Sequence, residues 1–390
     1  MLVPKLRFKE FNNNWNNEKI SNAFALSSGS TPNTKQRFFY TGNINWVSSG
    51  ELKRKYIVDT INKVSNIAIE KNNLKIYDIG TLLIAIYGLE ASGVRGTCSI
   101  LNIKATISQA CMALESKNNI SNEFMYYWYQ KNGQWIGLRI AQGTKQQNLT
   151  AELIGNLEVE YPSIDEQEKI VNFLSLLDKK IELQKQKIEA LKIYKKGLIQ
   201  KMYQKNYNNK IKMEKILIQK SIRNTNNENY NVYSVSNKDG FILQTEQFKD
   251  RIVASEDTKN YKVVEKDDFA YNPARINVGS IARMKKDTKG IISPMYICFK
   301  CNEKILPEYL EYFFESSKFT YEMNKRLEGS VRMCLSYESM LNIPIELPNK
   351  NEQEEISKML NNLSDKIKLE EEKWIKLKKL KKGLLQKMFI

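Results

Sequence analysis

The chain repeats itself, and this duplication constrains its fold more than any other feature. Residues 161–203 align without a gap with residues 347–389, at an offset of 186, and 20 of the 43 positions are identical. Weaker matches at similar offsets continue upstream, such as Gly93 with Gly279. A period this long is far above that of a solenoid repeat, so the sequence predicts two domain-sized modules.

Each repeat ends in a segment with the spacing of a coiled-coil helix. Apolar residues recur at alternating intervals of four and three in both copies, which is typical of a heptad seam. Two such stripes should pair, because each would otherwise expose about ten large apolar side chains to water. We expect an antiparallel pair, and the alternative is that each helix packs on its own module. The apolar seam positions include Ile170, Leu174, Leu177, Ile181 and Leu191, and then Ile356, Leu360, Leu363, Ile367 and Leu377.

These patterns predict an α+β fold class: two mixed α/β modules separated by two long helices that form an antiparallel coiled coil, with a pseudo-two-fold internal repeat. Capping-box-like sequences at Ser163-x-x-Glu166 and Asn349-x-x-Glu352 mark the helix starts. A helix of roughly 39 residues would be about 58 Å long. The predicted segments are a first module at 1–160, a first helix at 161–205, a second module at 206–346 and a second helix at 347–390.

Within the modules, short apolar and amphipathic runs predict mixed secondary structure. Strands are predicted at 81–86, 104–114, 157–161, 290–299 and 343–347. Short helices are predicted at 120–131 and 306–320, and loops at 27–45 and 271–280.

The charge balance indicates a polyanionic partner. The chain has 61 Lys and Arg against 44 Asp and Glu, a formal net charge of +17, which favours nucleic acid first and an anionic membrane second. The longest nearly apolar run, at 81–89, is far too short to span a bilayer. No signal peptide is recognisable, and the five cysteines are an odd number. We therefore expect a cytoplasmic protein with free thiols.

No complete active site is recognisable. The chain contains no histidine, which excludes Ser-His-Asp and Cys-His nucleophilic sites and imidazole ligands for zinc. Asn272-Pro-Ala-Arg275 lacks the second proline and the aromatic residue of an amino-methyltransferase motif, and Glu51-x-Lys53 has no upstream aspartate for a nuclease. The CxxC at 298–301 has no second pair to complete a zinc site. We therefore predict a protein that is not an enzyme and has no metal site or cofactor of its own.

Basic, amide and hydroxyl side chains concentrate in the predicted loops. Arg pairs with guanine, and Asn or Gln with adenine, in the major groove, while Tyr and Ser suit phosphate contacts. Any single cluster is equally consistent with a solvated surface, but the set as a whole favours binding to double-stranded DNA. The candidates are Lys35, Arg37, Lys53, Arg54, Arg95, Arg139, Gln142, Thr144, Lys145 and Gln146 in the first module, and Arg251, Tyr271, Asn272, Arg275, Asn277, Arg283, Ser330 and Arg332 in the second.

The order of short motifs resembles the DNA-specificity subunit of type I restriction-modification systems over essentially the whole chain. Pro-x-x-x-Glu-Gln-x-x-Ile openings begin at Pro162 and Pro348, and Lys-Lys-Gly-Leu-x-Gln-Lys-Met endings occur at 195–202 and 381–388. Ser28-Gly-Ser-Thr-Pro32 and Tyr271-Asn-Pro-Ala-Arg275 belong to the same pattern. Each piece is weak alone, and their joint order is specific.

The resemblance implies two target-recognition domains that read a bipartite DNA sequence with an unspecified spacer, in a subunit without catalysis. It implies two modification subunits that bind S-adenosylmethionine and methylate adenine at N6, and in full complexes two restriction subunits that use ATP and magnesium. We expect half-sites about one helical turn apart, 34–36 Å. Candidate docking positions for the modification subunits are Glu166, Gln167, Lys195, Lys196, Glu352, Gln353, Lys381 and Lys382.

Three alternatives stay open. The chain could serve a related methyltransferase-only complex, it could be a fused restriction or modification enzyme, or it could be a coiled-coil adaptor without a DNA role. The missing catalytic motifs argue against the enzyme, and the charge of +17 argues against the adaptor.

Overall fold

The computed structural model describes residues 3–89, 93–117, 119–141, 148–207, 209–247, 257–329 and 333–390. The chain divides into two compact units. The first comprises residues 1–184 and 373–390, and the second comprises residues 185–372. Each unit therefore combines one globular module with part of each long helix.

In the first unit, a mixed α/β module precedes the first long helix. Its strands are β1 (Asn16–Lys19), β2 (Phe24–Ser28), β3 (Ile44–Val47), β4 (Tyr56–Ile57), β5 (Asn62–Val64), β6 (Leu82–Ala85), β7 (Cys98–Leu101), β8 (Ala105–Ile107), β9 (Cys111–Ser116) and β10 (Glu158–Tyr161). Its helices are α1 (Ile20–Ala23), α2 (Asn66–Asn72), α3 (Asn122–Trp135), α4 (Ala151–Gly155) and the long α5 (Ile164–Gln204), which continues into the second unit.

The strands of the first unit form a five-stranded sheet in the order β2-β9-β6-β7-β4, a three-stranded sheet in the order β5-β3-β8, and the antiparallel pair β1-β10. Within the three-stranded sheet, β3 and β8 are parallel. The hydrophobic core lies between the larger sheet and α3, and it extends to both long helices. The helix residues that join this core are Ile170, Leu174, Leu385 and Met388.

The second unit contains a module of the same kind. Its strands are β11 (Lys210–Lys212), β12 (Leu217–Lys220), β13 (Asn231–Ser236), β14 (Gly240–Leu243), β15 (Lys262–Val264), β16 (Phe269–Tyr271), β17 (Ile281–Arg283), β18 (Gly290–Ile292), β19 (Ile297–Cys301) and β20 (Pro344–Glu346). Its helices are α6 (Gln244–Gln247), α7 (Pro307–Phe314), α8 (Ser317–Asn324), α9 (Tyr337–Leu341) and the long α10 (Lys350–Met388), which ends in the first unit.

The two modules share most of their strand topology, which confirms the predicted internal repeat. The order β12-β19-β16-β17 corresponds to β2-β9-β6-β7, and the pair β11-β20 corresponds to β1-β10. The parallel pair β13 and β18 corresponds to β3 and β8. Each module therefore carries two sheets, of five and three strands in the first module and of four strands each in the second, and the equivalent parallel pair lies in one of the two.

Two predicted strands are each divided in two. The run 104–114 forms β8 and β9, and the run 290–299 forms β18 and β19, so that each run supplies one strand to each sheet of its module. The breaks fall at equivalent serines. The amide of Ser108 donates to Val47, and that of Cys111 donates back to Ser108. After Ser293, Pro294 has no N–H to continue a ladder.

The long helices run antiparallel within each unit, as the seam predicts. In the second unit, Lys187 pairs with Glu370 at 3.0 Å and Lys205 pairs with Glu352 at 3.5 Å. A later residue of the first helix thus pairs with an earlier residue of the second, as in an antiparallel pair. In the first unit, Lys381 pairs with Asp178. The predicted seam positions are all buried or half-buried. The cores of both modules also include residues of the long helices. The long helices therefore pair with each other and also pack on the modules.

Candidate nucleic-acid interface

Most basic candidates of the first module lie on the surface. Lys35, Arg37, Lys53, Arg54 and Arg139 are exposed. No described side chain forms an ion pair with any of these five residues. Their charges are therefore available to an external polyanion.

Arg95 is only half-buried, and its loop is fixed against α3. The Nε of Arg95 donates to the carbonyl oxygen of Leu89 at 2.8 Å. Gly96, with φ +70°, approaches the backbone of Gly133 so closely that a Cβ there would lie 2.5 Å from the Gly133 carbonyl carbon. Only glycine suits both that conformation and that contact. Arg95 therefore has a structural role within the module, whether or not it also contacts DNA.

Several candidates lie outside the described residues. These are Gln142, Thr144, Lys145, Gln146, Arg251, Ser330 and Arg332.

The placement of Tyr271 corrects its candidacy as a DNA contact. Its side chain is fully buried in β16, and its hydroxyl donates to the carbonyl oxygen of Leu335 at 3.2 Å. Burial raises the pKa of this phenol. Tyr271 is a core residue because β16 is an interior strand of its sheet.

The placement of Arg283 requires the same correction. Its side chain is 8% exposed and contacts three carboxylates. Nη1 lies 2.6 Å from Asp267 and 2.7 Å from Glu308, and Nε lies 3.0 Å from Glu311. Its charge is thus more than neutralised, and the residue attaches β17 to α7.

Arg275 and Asn277 remain exposed in the loop that follows β16. The described arginines of the second unit are Arg223, Arg275, Arg283 and Arg326. Arg223 donates to Asn260, and Arg326 pairs with Glu322. Among these four, Arg275 alone has no described side-chain partner, so it is the second module's most available guanidinium in the described part of the chain.

Arg275 borders a cleft of about 650 Å³ in the second module. The cleft opens at the carboxyl ends of the parallel strands β13 and β18. Arg275 is the single charged residue among the described residues that line it. Several amide and hydroxyl residues that share this lining were not predicted from the sequence, because they come from a strand, a helix and loops that are separate in the chain: Ser236, Asn237, Gln244, Gln247 and Ser293.

Two docking candidates on the long helices instead connect helix to module. Gln167 donates through Nε2 to the carbonyls of Asn119 and Pro162, and its Oε1 accepts from the amide of Ser121. Gln353 makes the equivalent bonds to Lys304, Pro348 and Leu306. Both glutamines are buried. This corrects their assignment as surface docking positions, since they hold each long helix to the entry of a module helix.

The neighbouring glutamates differ between the repeats. Glu166 is buried and accepts from Nε and Nη2 of Arg7, both at 2.8 Å. It is therefore committed to an internal ion pair rather than to docking. Glu352 forms the predicted capping box, because its amide donates to Asn349 at 3.0 Å and its carboxylate accepts from the Asn349 amide at 3.3 Å.

The basic helix ends are also partly internal. Lys195 lies over the ring of Tyr312 and pairs with Glu315, and Lys381 lies over the ring of Tyr127 and donates to Gln130. This corrects the prediction that both lysines form a docking face. The adjacent residues Lys196 and Lys382 are exposed.

The long helices nevertheless expose apolar residues at repeat-equivalent positions. Phe173 and Met359 are 39% and 37% exposed, Leu183 and Leu369 are 55% and 51% exposed, and Tyr194 and Leu380 are 60% and 53% exposed. We call Phe173, Leu183 and Leu380 the outer strip of the first unit, and Met359, Leu369 and Tyr194 the outer strip of the second. Intervals of ten and eleven residues, close to three helical turns, separate these residues along each helix, and the sequence could have revealed that spacing.

The described residues contain no group of three or more His, Cys, Asp or Glu that could hold a metal ion. The five cysteines are free thiols, and burial raises the pKa of Cys111 and Cys298 to about 12. None of the helices in the described part of the chain combines the length and apolar character that crossing a bilayer requires.

Comparison with known proteins relates both repeats to one family. A model of the type I restriction modification DNA specificity domain matches residues 12–192 and again residues 209–379. The chain is 28% identical over 181 residues to the specificity subunit of the type I restriction enzyme MjaIX of Methanocaldococcus jannaschii, across 45% of this chain and 41% of that relative. The match to that relative thus spans less than half of its length. Identity to the MjaVIII specificity subunit of the same organism is 23% over 319 residues, across 73% of each chain.

Solved structures share the fold. The S subunit of a type I restriction-modification system from M. genitalium superposes with a TM-score of 0.58 at 16% identity, across 100% of this chain and 99% of that one. A chain from a study of complex assembly and conformational transition of the type I system gives a TM-score of 0.59 at 13% identity, across 96% and 97%. These similarities confirm the predicted fold class.

Proposed function

Because the chain belongs to the type I restriction-modification DNA specificity family, whose model matches both of its halves, we propose that it is the non-catalytic subunit that recognises a bipartite DNA target. The single observation that carries this proposal is the repetition of one module topology along a chain that matches the family twice. Each module would read one half-site, and the DNA between the half-sites would remain unread.

The different surfaces of the two modules support two different half-sites. The first module exposes Arg37, Arg54 and Arg139, whereas the second offers Arg275 beside a polar cleft. We retain the expectation from the sequence that the paired helices fix the separation of the modules, so that half-sites about 34–36 Å apart can be engaged together.

Two copies of a modification subunit are the proposed partners on the outer strips. Equivalent positions of the two repeats are exposed to similar extents, such as Leu183 at 55% and Leu369 at 51%. Two similar surfaces suit two copies of one protein better than two unrelated proteins. An apolar strip flanked by lysines fits an amphipathic helix with acidic edges. Exposed apolar residues grouped in this way mark interaction sites more often than isolated ones do.

The chemistry would then lie entirely on partner subunits. Modification subunits would bind S-adenosylmethionine and methylate adenine at N6, and two restriction subunits, where the complex contains them, would use ATP and magnesium. The chain itself would bind no cofactor. Cellular DNA as the target would place this work in the cytoplasm.

Methylome sequencing tests the proposal. Cells that carry the gene should show N6-methyladenine in a motif of two specific blocks separated by a spacer of fixed length and any sequence, and cells without the gene should lose that motif. A single continuous motif, or a methylome that does not change on deletion, would contradict it. An unchanged methylome would favour the alternative that the chain is a coiled-coil adaptor without a DNA role.

A further inference from the structure

The cleft of the second module is chemically selective. Its described lining combines uncharged hydrogen-bonding groups with one cation and has no carboxylate. The buried Oε1 of Gln244 has no hydrogen-bond partner among the described residues. A lining of this kind suits a ligand that presents both donors and acceptors beside negative charge, as the base edges and backbone phosphates of DNA do.

Backbone hydrogen bonds and a buried side chain hold the loop that carries Arg275 in place. Its ends are joined where the amide of Asn272 donates to Ser280 at 3.0 Å, and the amide of Ser280 donates to the carbonyl of Arg275 at 3.1 Å. Ile276 anchors the loop in the core at 2% exposure. The backbone therefore presents the exposed guanidinium from a fixed point, which lowers the entropy lost when it binds.

In the first module, a carboxylate is fixed at the corresponding strand end. There Ser48 follows the carboxyl end of β3, and its amide and hydroxyl donate to Oε2 of Glu51 at 2.8 and 2.7 Å. The other oxygen of Glu51 accepts from the amide of Ile61 at 2.8 Å. A fixed carboxylate disfavours an approaching phosphate, so this strand end of the first module suits DNA less well than the cleft of the second module does.

From this contrast we infer that the cleft of the second module determines base specificity, with Arg275 recognising a guanine in the second half-site. This inference rests on the proposed function. The planar guanidinium donates two parallel hydrogen bonds to O6 and N7 of guanine, the commonest specific contact in the major groove. The amides of Asn237 and Gln247 at the same cleft would contact the neighbouring base.

The test uses the assembled complex, its motif known from the methylome, and duplexes in which each base pair of the second half-site is replaced in turn. Arg275→Ala should weaken binding to the native motif by about tenfold to a hundredfold. It should also abolish the penalty for replacing one G·C pair while keeping the penalties elsewhere. Arg275→Lys keeps the charge but loses the two-bond geometry, so it should lose the same discrimination.

Arg223→Ala is the matched control, because it removes an exposed arginine of the same unit that does not line the described cleft. It should leave every base-pair penalty unchanged. If Arg275→Ala weakens all duplexes uniformly, or keeps every penalty, Arg275 does not read a base and the inference is overturned. A wild-type complex without a bipartite motif would instead overturn the proposed function, so the two failures are distinguishable.

Discussion

A chain in which Leu183 and Leu369 are both replaced by glutamate should fold normally and yet bind no modification subunit. Both side chains are half exposed on the outer strips, so the free protein loses little packing. In the complex, each glutamate would be buried against an apolar partner without a counter-charge, which costs several kcal/mol. We expect affinity at each site to fall at least a hundredfold.

Native mass spectrometry after co-expression measures this prediction. Wild type should carry two modification subunits, each single variant one, and the double variant none. The control is Lys185→Glu with Lys368→Glu, which places new acidic charge on exposed residues of the opposite flank of the seam. That control should keep both subunits. Full assembly of the double variant would show that the partners dock elsewhere.

Binding of the full chain to duplex DNA should weaken about a thousandfold when salt rises from 50 to 200 mM. A net charge of +17 and exposed, unpaired arginines such as Arg37 and Arg54 imply several phosphate contacts. Six to ten such contacts, each releasing counterions, give a loss of roughly 10³ to 10⁵ over this range.

Fluorescence anisotropy with a labelled duplex gives the slope of log affinity against log salt. A duplex without the half-sites should bind more weakly at every salt concentration but with a similar steep slope, because phosphate contacts carry no sequence information. An affinity that does not change with salt would remove the electrostatic basis of the account and favour a coiled-coil adaptor.

The duplicated architecture could be predicted from the sequence because its signals are periodic. The seam from Ile170 to Leu191 recurs from Ile356 to Leu377, and burial follows it at every position. Heptad spacing is a local property of the chain, so it can be recognised in the sequence without knowing which distant residues are in contact.

The candidate site could be predicted only in part, because charge in a sequence does not reveal its partners. In the sequence Arg283 resembles Arg275 as a DNA-contact candidate, but in the fold it pairs with Asp267 from a loop and with Glu308 and Glu311 from α7. Gln167 looked like a surface motif, yet its bonds reach Asn119 and Ser121, more than 40 residues earlier.

The central claim is that each module reads its own half-site, and exchanging modules tests it most directly. In a chain whose second module, 206–346, is replaced by the first, 1–160, methylome sequencing should return a motif with two copies of the first half-site. Retention of the original second half-site in that motif would contradict the account.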